Sequence, residues 1–378
     1  MGKHKKVSIF KNYLLNTSFH GFRFIVDDKR HWSERIFWTI CVTLSWIAAS
    51  LLIYSAYDDF LHNAISFVVD TSFLEWDTHF PTVVICETDN EDNIATVTDR
   101  VFGDPHDYNL DEIVKELVFY KGLSLYTLQI CGPNLGDQRD KNCFIKNLSY
   151  YHDEVKSSCK DIFHGCQWNE VKFDCCTYFN EIYTEMGRCY GINTMQSRKK
   201  DVPFYKMVSN KKSGPGKLLL EVKGITNLYT LGTLEIPSLS SFAGDTISLS
   251  PHIHFRRTFA IKEIDNQPEV RDVSIDQRNC RFPEETYLDV FPYYSYSACC
   301  VQCRKDAQFK KCGCVHHLMP NTPFEKQCDL KGIKCLNKYY NEISILKASW
   351  SNRIGLVCGC LPSCNEIELS TIRDEKRG

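Results

Sequence analysis

The cysteines carry the clearest chemical signal in this sequence, because 20 of its 378 residues are cysteine. Eleven of them lie in residues 280–364. Thiols at this density form either disulfides in an oxidising compartment or metal sites. The spacing of the cysteines and the compartment of the chain decide which of these chemistries applies.

Four of these cysteines have matching spacings. Cys299 and Cys303 lie four residues apart in a stretch without Gly or Pro. On a helix their side chains share one face, ~6 Å apart along the axis. Cys358 and Cys360 lie two residues apart, so in an extended strand they also share a face, ~6.8 Å apart. A strand antiparallel to the helix can pair Cys299 with Cys360 and Cys303 with Cys358, although spacing alone does not prove this connectivity.

The alternative is a zinc site built from the same part of the chain. Six residues have spacings that suit zinc ligands: Cys300, Cys303, Cys312, Cys314, His316 and His317. Such a site needs a reducing compartment, since thiols outside the cell oxidise to disulfides. The membrane topology predicted below favours disulfides and no metal site.

A predicted membrane span lies near the N-terminus. Residues 36–57 contain no charged side chain, and at ~1.5 Å per residue a helix of this length reaches ~33 Å, enough to cross a ~30 Å hydrocarbon core. Trp38, Tyr54 and Tyr57 lie near its ends, where aromatic residues are enriched. A signal peptide fits less well, because the run is long and begins after residue 35.

Charge predicts the orientation of this span. Residues 1–35 carry eight Lys or Arg, whereas residues 58–99 carry ten acidic residues and no Lys or Arg. The positive-inside rule therefore predicts a cytosolic segment at residues 1–35 and an extracellular domain at residues 58–378. Cys41 then lies in the membrane, and most of the other nineteen cysteines should form disulfides. We expect a plasma-membrane protein that contacts the lipid bilayer.

The extracellular domain is predicted to be α+β, with a central β-sheet and disulfide-rich excursions. Strands are predicted at His79–Cys86, Lys217–Val222 and Ile253–Ile261. A helix is predicted to begin at Asn109, with Asn109 as N-cap and Glu112 completing a capping box.

The composition does not indicate a nucleic-acid-binding protein, because the net charge of the chain is −2. No GxSxG, HExxH or P-loop pattern occurs, so the sequence does not indicate an enzyme.

Five segments, in this order, resemble the degenerin/epithelial sodium channel family, particularly its insect pickpocket branch. They are NTSFHG at residues 16–21, FPTVVIC at 80–86, CQWNEVKFDCCTYFNEIYTEMGRCYGIN at 166–193, the segment from Arg278 to Cys314, and CGCLPSC at 358–364. Each segment alone is a weak signal, but the ordered set covers nearly the whole chain and is specific. The resemblance implies a finger at about residues 100–190, palm strands at about 79–90 and 186–262, and a thumb at about 280–364.

The resemblance also implies seven disulfides, two of which coincide with the pairs that spacing allows. They are Cys86–Cys189, Cys166–Cys175, Cys280–Cys364, Cys299–Cys360, Cys303–Cys358, Cys312–Cys335 and Cys314–Cys328. Five cysteines fall outside this set: Cys131, Cys143, Cys159, Cys176 and Cys300. Some of these can pair locally, for example Cys131 with Cys143, and at least one should be free.

Two further sites are expected from motifs. His20 and Gly21 occupy the positions of a family motif in the cytosolic segment that is tied to gating, where Gly21 can adopt a backbone conformation closed to other residues. Asn147, in Asn147-Leu-Ser149, is the one glycosylation sequon in the predicted extracellular region.

The resemblance implies a subunit of a ligand- or stimulus-gated, amiloride-sensitive-type sodium channel. Such subunits transport sodium ions as homo- or heterotrimers and need no cofactor. The family's pore is formed by a second membrane helix, which this sequence lacks before Gly378, and we expect an incomplete sequence. Two alternatives stay open: a naturally truncated isoform, or a non-conducting single-pass accessory or receptor-type subunit.

Overall fold

The computed structural model describes residues 11–62, 68–69, 76–131, 147–197, 203–241 and 246–378. These residues form two compact units. One contains the described residues up to Val68 together with Glu269–Arg278, and the other contains those from Val69 to Pro268 and from Asn279 to Gly378.

The first unit is dominated by one long helix. Helix α1 spans Phe22–Val26, and helix α2 spans Trp32–His62 with no buried side chain. Within the described part of the chain, α2 is the one helix that is long and apolar enough to cross a membrane. Its 31 residues exceed the predicted span at both ends, because the polar flanks continue the same backbone hydrogen-bond ladder.

The strands of the second unit begin with the segment predicted at His79–Cys86. The structure divides that segment at Phe80 and Pro81, since proline cannot donate to a sheet ladder. The strands are β1 (Thr78–His79), β2 (Thr82–Asp89), β3 (Phe163–Trp168), β4 (Val171–Phe173), β5 (Phe179–Thr184), β6 (Gly187–Ile192), β7 (Val208–Ser209), β8 (Leu218–Val222), β9 (Ile225–Leu231), β10 (Thr246–Leu249), β11 (His254–Ile264) and β12 (Glu366–Arg377).

A five-stranded antiparallel sheet forms the centre of this unit, in the order β10-β9-β2-β6-β5. Its middle strand β2 reads TVVICETD and is buried over its first six residues. Such a continuous run of β-branched residues suits a strand that is covered on both faces. Strands β4, β3 and β8 form a second sheet, and β1 pairs with β7.

Strands β11 and β12 form a separate two-stranded ribbon. Their register runs from His254 opposite Arg377 to Ile264 opposite Glu366. A bidentate pair joins Arg257 to Asp374, at 2.9 and 2.8 Å. The charged stretch that follows Cys364 is therefore a strand, in which alternate side chains are free to face water.

The helices of the second unit lie on both sides of the cysteine-poor middle of the chain. They are α3 (Glu91–Phe102), α4 (Asn109–Val118), α5 (Leu125–Cys131), α6 (Leu148–Val155), α7 (Cys159–Ile162), α8 (Cys175–Tyr178), α10 (Tyr296–Cys312), α11 (Leu330–Lys338) and α12 (Tyr340–Ile343), and α9 (Ile275–Arg278) belongs to the first unit. Two 3₁₀ turns lie at Pro268–Asp272 and Phe324–Lys326.

The capping box predicted at Asn109 is wrong. Asn109 is the first residue of α4, and its backbone N–H donates to the Asp107 carboxylate at 3.0 Å. The Asn109 amide oxygen instead accepts a hydrogen bond from the Tyr126 hydroxyl. A tertiary partner therefore takes the oxygen that a cap would have used.

Three hydrophobic clusters hold the second unit together. One surrounds α4, where Ile113, Val114 and Leu117 are fully buried. The second lies between β2, β6 and α10, and the third lies between the central sheet and β3. The α+β class, with one N-terminal membrane-type helix and a disulfide-rich remainder, is confirmed.

Candidate functional site: a disulfide-linked helix and a glycine-dependent junction

Helix α10 has well-defined ends. The Ser295 side chain accepts a hydrogen bond from the Ala298 N–H at 3.2 Å, which is an N-cap. At the other end Gly313 adopts a left-handed conformation, with φ of 71°. This conformation is accessible to glycine at little cost and terminates a helix. The local sequence thus sets both ends of the helix that carries Cys299 and Cys303.

The structure pairs Cys299 with Cys360 and Cys303 with Cys358, and these two disulfides are the rungs of a disulfide ladder. The Cα atoms of these pairs are 5.8 and 6.0 Å apart. Both values lie within the range that disulfides require. The partner segment runs antiparallel to α10, but Cys358 and Cys360 lie in an extended segment outside any regular strand.

Beyond the ladder, the C-terminal segment is closed by a further bridge. Cys280 is bonded to Cys364, and next to it the Tyr294 hydroxyl both donates to the Leu361 carbonyl, at 2.7 Å, and accepts from the Leu361 N–H, at 3.0 Å. The residues after Cys358 are therefore fixed at three successive points, to Cys299 in α10 and to Tyr294 and Cys280 before it.

Two bridges fasten the other end of α10. Cys312 is bonded to Cys335, and Cys314 to Cys328. Gly332 makes room for the second bridge, because a Cβ atom there would lie 2.4 Å from the Cys314 sulfur. One face of α10 and the ends of its surrounding segments are thus covalently fixed.

The remaining cysteines complete the set. Cys86 is bonded to Cys189 and Cys166 to Cys175, and a further bridge joins Cys159 to Cys176. Cys131 is disulfide-bonded, and Cys143 lies outside the described residues. Cys41 and Cys300 are free. Burial raises the pKa of the Cys300 thiol above its ordinary value.

The zinc ligand set does not form. Cys303, Cys312 and Cys314 are in disulfides, and no group of three potential ligands converges anywhere in the described ranges. Oxidised sulfur has no thiolate to offer a metal.

Another face of α10 carries a buried ion pair. The Arg304 guanidinium contacts the Glu185 carboxylate with side chains 0% and 1% exposed. Arg304 also donates to the Ser240 hydroxyl and to the Ser344 carbonyl, and Glu185 accepts from the Leu239 N–H. Glu185 lies in the turn between β5 and β6, so this pair fastens α10 to the central sheet.

Three histidines are buried near the start of the segment that follows α10. His316 stacks on Tyr120 and contacts His317, with ring centroids 3.8 and 4.3 Å apart. Burial lowers the pKa of His316 well below its ordinary value and that of His317 to about 3. Burial also lowers the pKa of His152. All three are therefore neutral at physiological pH.

Two of these histidines line a cavity of about 330 Å³, together with Ser149 and Tyr183. His152 accepts a hydrogen bond at Nε2 from the Arg188 N–H, at 3.1 Å. Gly187 permits this approach, because a Cβ atom there would lie 2.4 Å from Nε2. Sequence reasoning missed these contacts, since only the folded chain brings residues 152, 187 and 317 together.

His20 and Gly21 directly precede α1, and Gly21 packs against α2; we call this contact the α1–α2 junction. His20 is exposed, whereas Gly21 is buried with φ of 89°. A Cβ atom on Gly21 would lie 2.5 Å from Val42 and 3.5 Å from Trp38, and Phe24 stacks on Trp38 with ring centroids 4.6 Å apart. The position therefore requires glycine twice, for its backbone conformation and for its close approach to α2.

Asn147 is exposed and caps helix α6. Its side-chain oxygen accepts from the Tyr150 N–H at 3.2 Å. The Ser149 hydroxyl donates to Gln327 at 2.8 Å. The Asn147 amide nitrogen thus points away from the cap, and it is the atom to which a glycan is attached.

The sequence of this chain is similar to those of known channel proteins. The family described as amiloride-sensitive sodium channel matches residues 13–375. The chain is 23% identical to sodium channel protein Nach of Drosophila ananassae and 21% identical to that of Drosophila melanogaster, over 97% and 96% of this chain and 72% and 74% of theirs. It is 20% identical to pickpocket protein 28 of Drosophila melanogaster, over 94% of this chain and 62% of that protein.

The match covers the membrane-type helix, the glycine junction and the linked helix together, and it concerns a family of channels, not of enzymes. The chain belongs to the amiloride-sensitive sodium channel family, in its insect pickpocket-like branch.

Proposed function

We propose that this chain is a subunit of a stimulus-gated sodium channel in the plasma membrane. The observation that carries the proposal is the family match over residues 13–375, which spans both units. Sodium ions are the proposed substrate. Other family subunits, in a homo- or heterotrimer, are the proposed partners.

The proposed topology has the N-terminus in the cytosol and the second unit outside. Eight Lys or Arg before residue 36 favour this orientation. Eight disulfides among the described residues of the second unit fit an oxidising compartment. Glycosylation at Asn147 is part of the same proposal. A shift in mass on glycosidase treatment, absent from Asn147→Gln, is the expected result.

Residues 280–364 are proposed to act as a thumb that transmits movement. A helix with both ends and one face cross-linked moves as one body, and Arg304 couples that body to the central sheet. We also propose palm strands at about residues 79–90 and 186–262 and a finger at about residues 100–190. In this proposal the movement reaches the bilayer, where the Gly21 junction responds.

Voltage-clamp recording tests the proposal. The chain is expressed in oocytes alone and together with a pickpocket subunit, and the sodium current and its block by amiloride are measured. We expect co-expression to change the amplitude or selectivity of the sodium current, and we expect the two proteins to co-purify. Failure to co-purify, together with an unchanged current, would overturn the proposal.

A further inference from the structure

We propose that the far end of helix α10 and helix α11 bear a docking surface for a linear sulfated polysaccharide. The surface, here called the lysine surface, consists of six exposed side chains: Lys310, Lys311, Lys326, Lys331, Lys334 and Lys338. The chain as a whole has a net charge of −2. Residues 310–338, in contrast, hold six lysines against two acids, Glu325 and Asp329.

The lysines are held close together. The Lys311 and Lys338 ammonium groups both lie over the ring of Tyr339, 5.1 and 5.2 Å from its centroid. They are therefore within about 10 Å of each other. Lys326 lies over the ring of Phe309, at 5.7 Å. These contacts keep the ammonium groups at the surface while the stems cover aromatic faces.

The framework beneath these lysines is rigid. Cys312–Cys335 joins the end of α10 to α11, and Cys314–Cys328 joins the following segment to the start of α11. The Lys326 carbonyl accepts from the Val315 N–H at 2.9 Å. A charged surface held in this way loses little conformational freedom on binding, which favours affinity.

Helix stability explains only part of this placement. Lys310, Lys311 and Lys338 lie in the last turns of α10 and α11, where the helix dipole favours a cation, but Lys331 and Lys334 do not. Lys331, Lys334 and Lys338 are three and then four residues apart, so they share one face of α11. Like charges at this spacing repel each other, and Lys331 lies in the first turn, where the helix dipole disfavours a cation. Only Lys311 among the six has an ion pair within the described chain, with Glu342 at 2.6 Å. A polyanion would relieve this repulsion.

The chemistry of the surroundings selects the partner. The disulfides place the surface in an oxidising compartment, and the extracellular placement proposed above, on which this inference rests, separates it from intracellular nucleic acid. Anionic lipid is concentrated in the cytoplasmic leaflet. Sulfated polysaccharides carry dense negative charge outside cells, and the exposed rings of Phe309 and Phe324 offer flat faces beside the lysines.

Binding to immobilised heparin tests this proposal on the full chain in detergent, with its disulfides intact. The readout does not depend on ion conduction, so it can fail or succeed independently of the channel proposal. The variant is Lys331→Gln, Lys334→Gln and Lys338→Gln combined. The matched control combines Lys211→Gln, Lys212→Gln and Lys217→Gln, which are also exposed. The basic N-terminal segment is identical in both proteins.

The expected result is that the α11 variant binds heparin roughly 100-fold more weakly, taking the contribution of each lysine from basic segments at anionic surfaces. The control should lose less than about threefold. If the triple variant does not fold, Lys331→Gln and Lys334→Gln are measured singly, each with an expected loss of roughly fivefold. Desulfated heparin should bind much more weakly than heparin.

Three results would overturn the proposal. The first is equal binding of heparin by the α11 variant and the unaltered chain. The second is an equal loss in the control, which would mean that the binding is set by net charge. The third is tighter binding to polyglutamate or to phosphatidylserine vesicles than to heparin, which would assign the lysine surface to an acidic protein or to a membrane.

Discussion

Helix α10 and the pair of helices α1 and α2 are held in place in contrasting ways. Helix α10 is fixed by three disulfides and by the buried Arg304–Glu185 pair, and a fourth disulfide at Cys314 holds the segment just after it. The α1–α2 junction depends on a glycine and a stacked ring pair, and Cys41 in α2 is free. The first arrangement resists deformation, whereas the second depends on non-covalent packing that a small change can shift.

Under the proposed channel function, this contrast assigns different tasks to the two regions. A part that transmits movement must be stiff, and a part that changes state must have two packings of similar free energy. The substitutions and the pH change described next weaken either the stiff region around α10 or the adjustable α1–α2 junction. They are given from the largest expected effect to the smallest.

Arg304→Met should weaken the stiff region most. The substitution leaves the Glu185 carboxylate buried without its partner, which costs about 3–5 kcal/mol. The measurement is the free energy of unfolding in denaturant. Lys311→Met on the same helix is the control, because its ion pair with Glu342 is half exposed and should contribute less than about 1 kcal/mol.

A cost below about 1 kcal/mol for Arg304→Met would mean that the pair does not fasten α10 to the sheet. Arg304→Met combined with Glu185→Met provides a second check. Replacing both charges with apolar side chains removes the unpaired carboxylate and should recover most of the lost free energy.

Removing one rung of the ladder should have the next largest effect. Cys299→Ser with Cys360→Ser should lower the free energy of unfolding by about 2–3 kcal/mol. The other rung, Cys303–Cys358, still closes nearly the same loop. Removing both rungs should therefore cost more than twice as much as removing one. An additive loss would show that the rungs act independently, and a smaller one would contradict the shared loop. Thermal unfolding under non-reducing conditions measures both effects.

Acid should weaken the stiff region through its buried histidines. His317 has a folded-state pKa of about 3, below the ordinary value near 6.5. Its contribution to stability is therefore complete above about pH 6.5 and is lost as the pH falls toward 3. At pH 5 the loss is roughly 2 kcal/mol. Unfolding measured from pH 7.5 to pH 4.5 checks this expectation.

His317→Gln should flatten that part of the pH profile, because glutamine can still donate to the Leu117 carbonyl but does not titrate. His106→Gln is the contrasting control. Burial acts to lower the pKa of His106, but its hydrogen bond to Asp111 and the charges of Asp111 and Asp99 raise it. That stabilisation is present at low pH and is lost as the pH rises. His106→Gln should therefore increase the sensitivity to acid, and equal profiles for both variants would contradict the assignment.

Gly21→Ala should have the smallest effect on stability and act mainly on function. A left-handed conformation costs an alanine about 1–2 kcal/mol, and its Cβ atom would press on Val42. We expect a lower open probability in a conducting assembly, measured in single-channel recordings. Tyr13→Ala is the control, since Tyr13 is exposed and lies outside the motif that contains His20 and Gly21. Unchanged open times in Gly21→Ala would remove the junction from the gating mechanism.

Much of the covalent framework follows from patterns that are local in the sequence. The matched spacings of Cys299 and Cys303 and of Cys358 and Cys360 indicated the two rungs that the structure contains. An uncharged run of 22 residues, read from the sequence, likewise lies inside helix α2. In both cases the constraint is geometric, because the repeat of a helix or strand is fixed by its backbone.

The buried charges could not be predicted in the same way. Glu185 and Arg304 are 119 residues apart, and a charged residue on a helix is normally exposed. One signal was available, since Arg304 shares the helix face of Ala298 and Val301, which are buried. The Asn109 cap failed for a similar reason, because Tyr126 competes for the same oxygen. The pairing of Cys159 with Cys176 also needed the folded chain.

The order in which the chain is synthesised gives the ladder a further consequence. Cys303 and Cys358 are 55 residues apart, so at 5–20 residues per second the ribosome delivers the partner roughly 3–11 s later. During that interval Cys299, Cys300 and Cys303 are present together as thiols. Cys312–Cys335 and Cys314–Cys328 close shorter loops and can form earlier. Cys300, which ends as a free thiol, therefore competes with Cys299 and Cys303 for partners during oxidative folding.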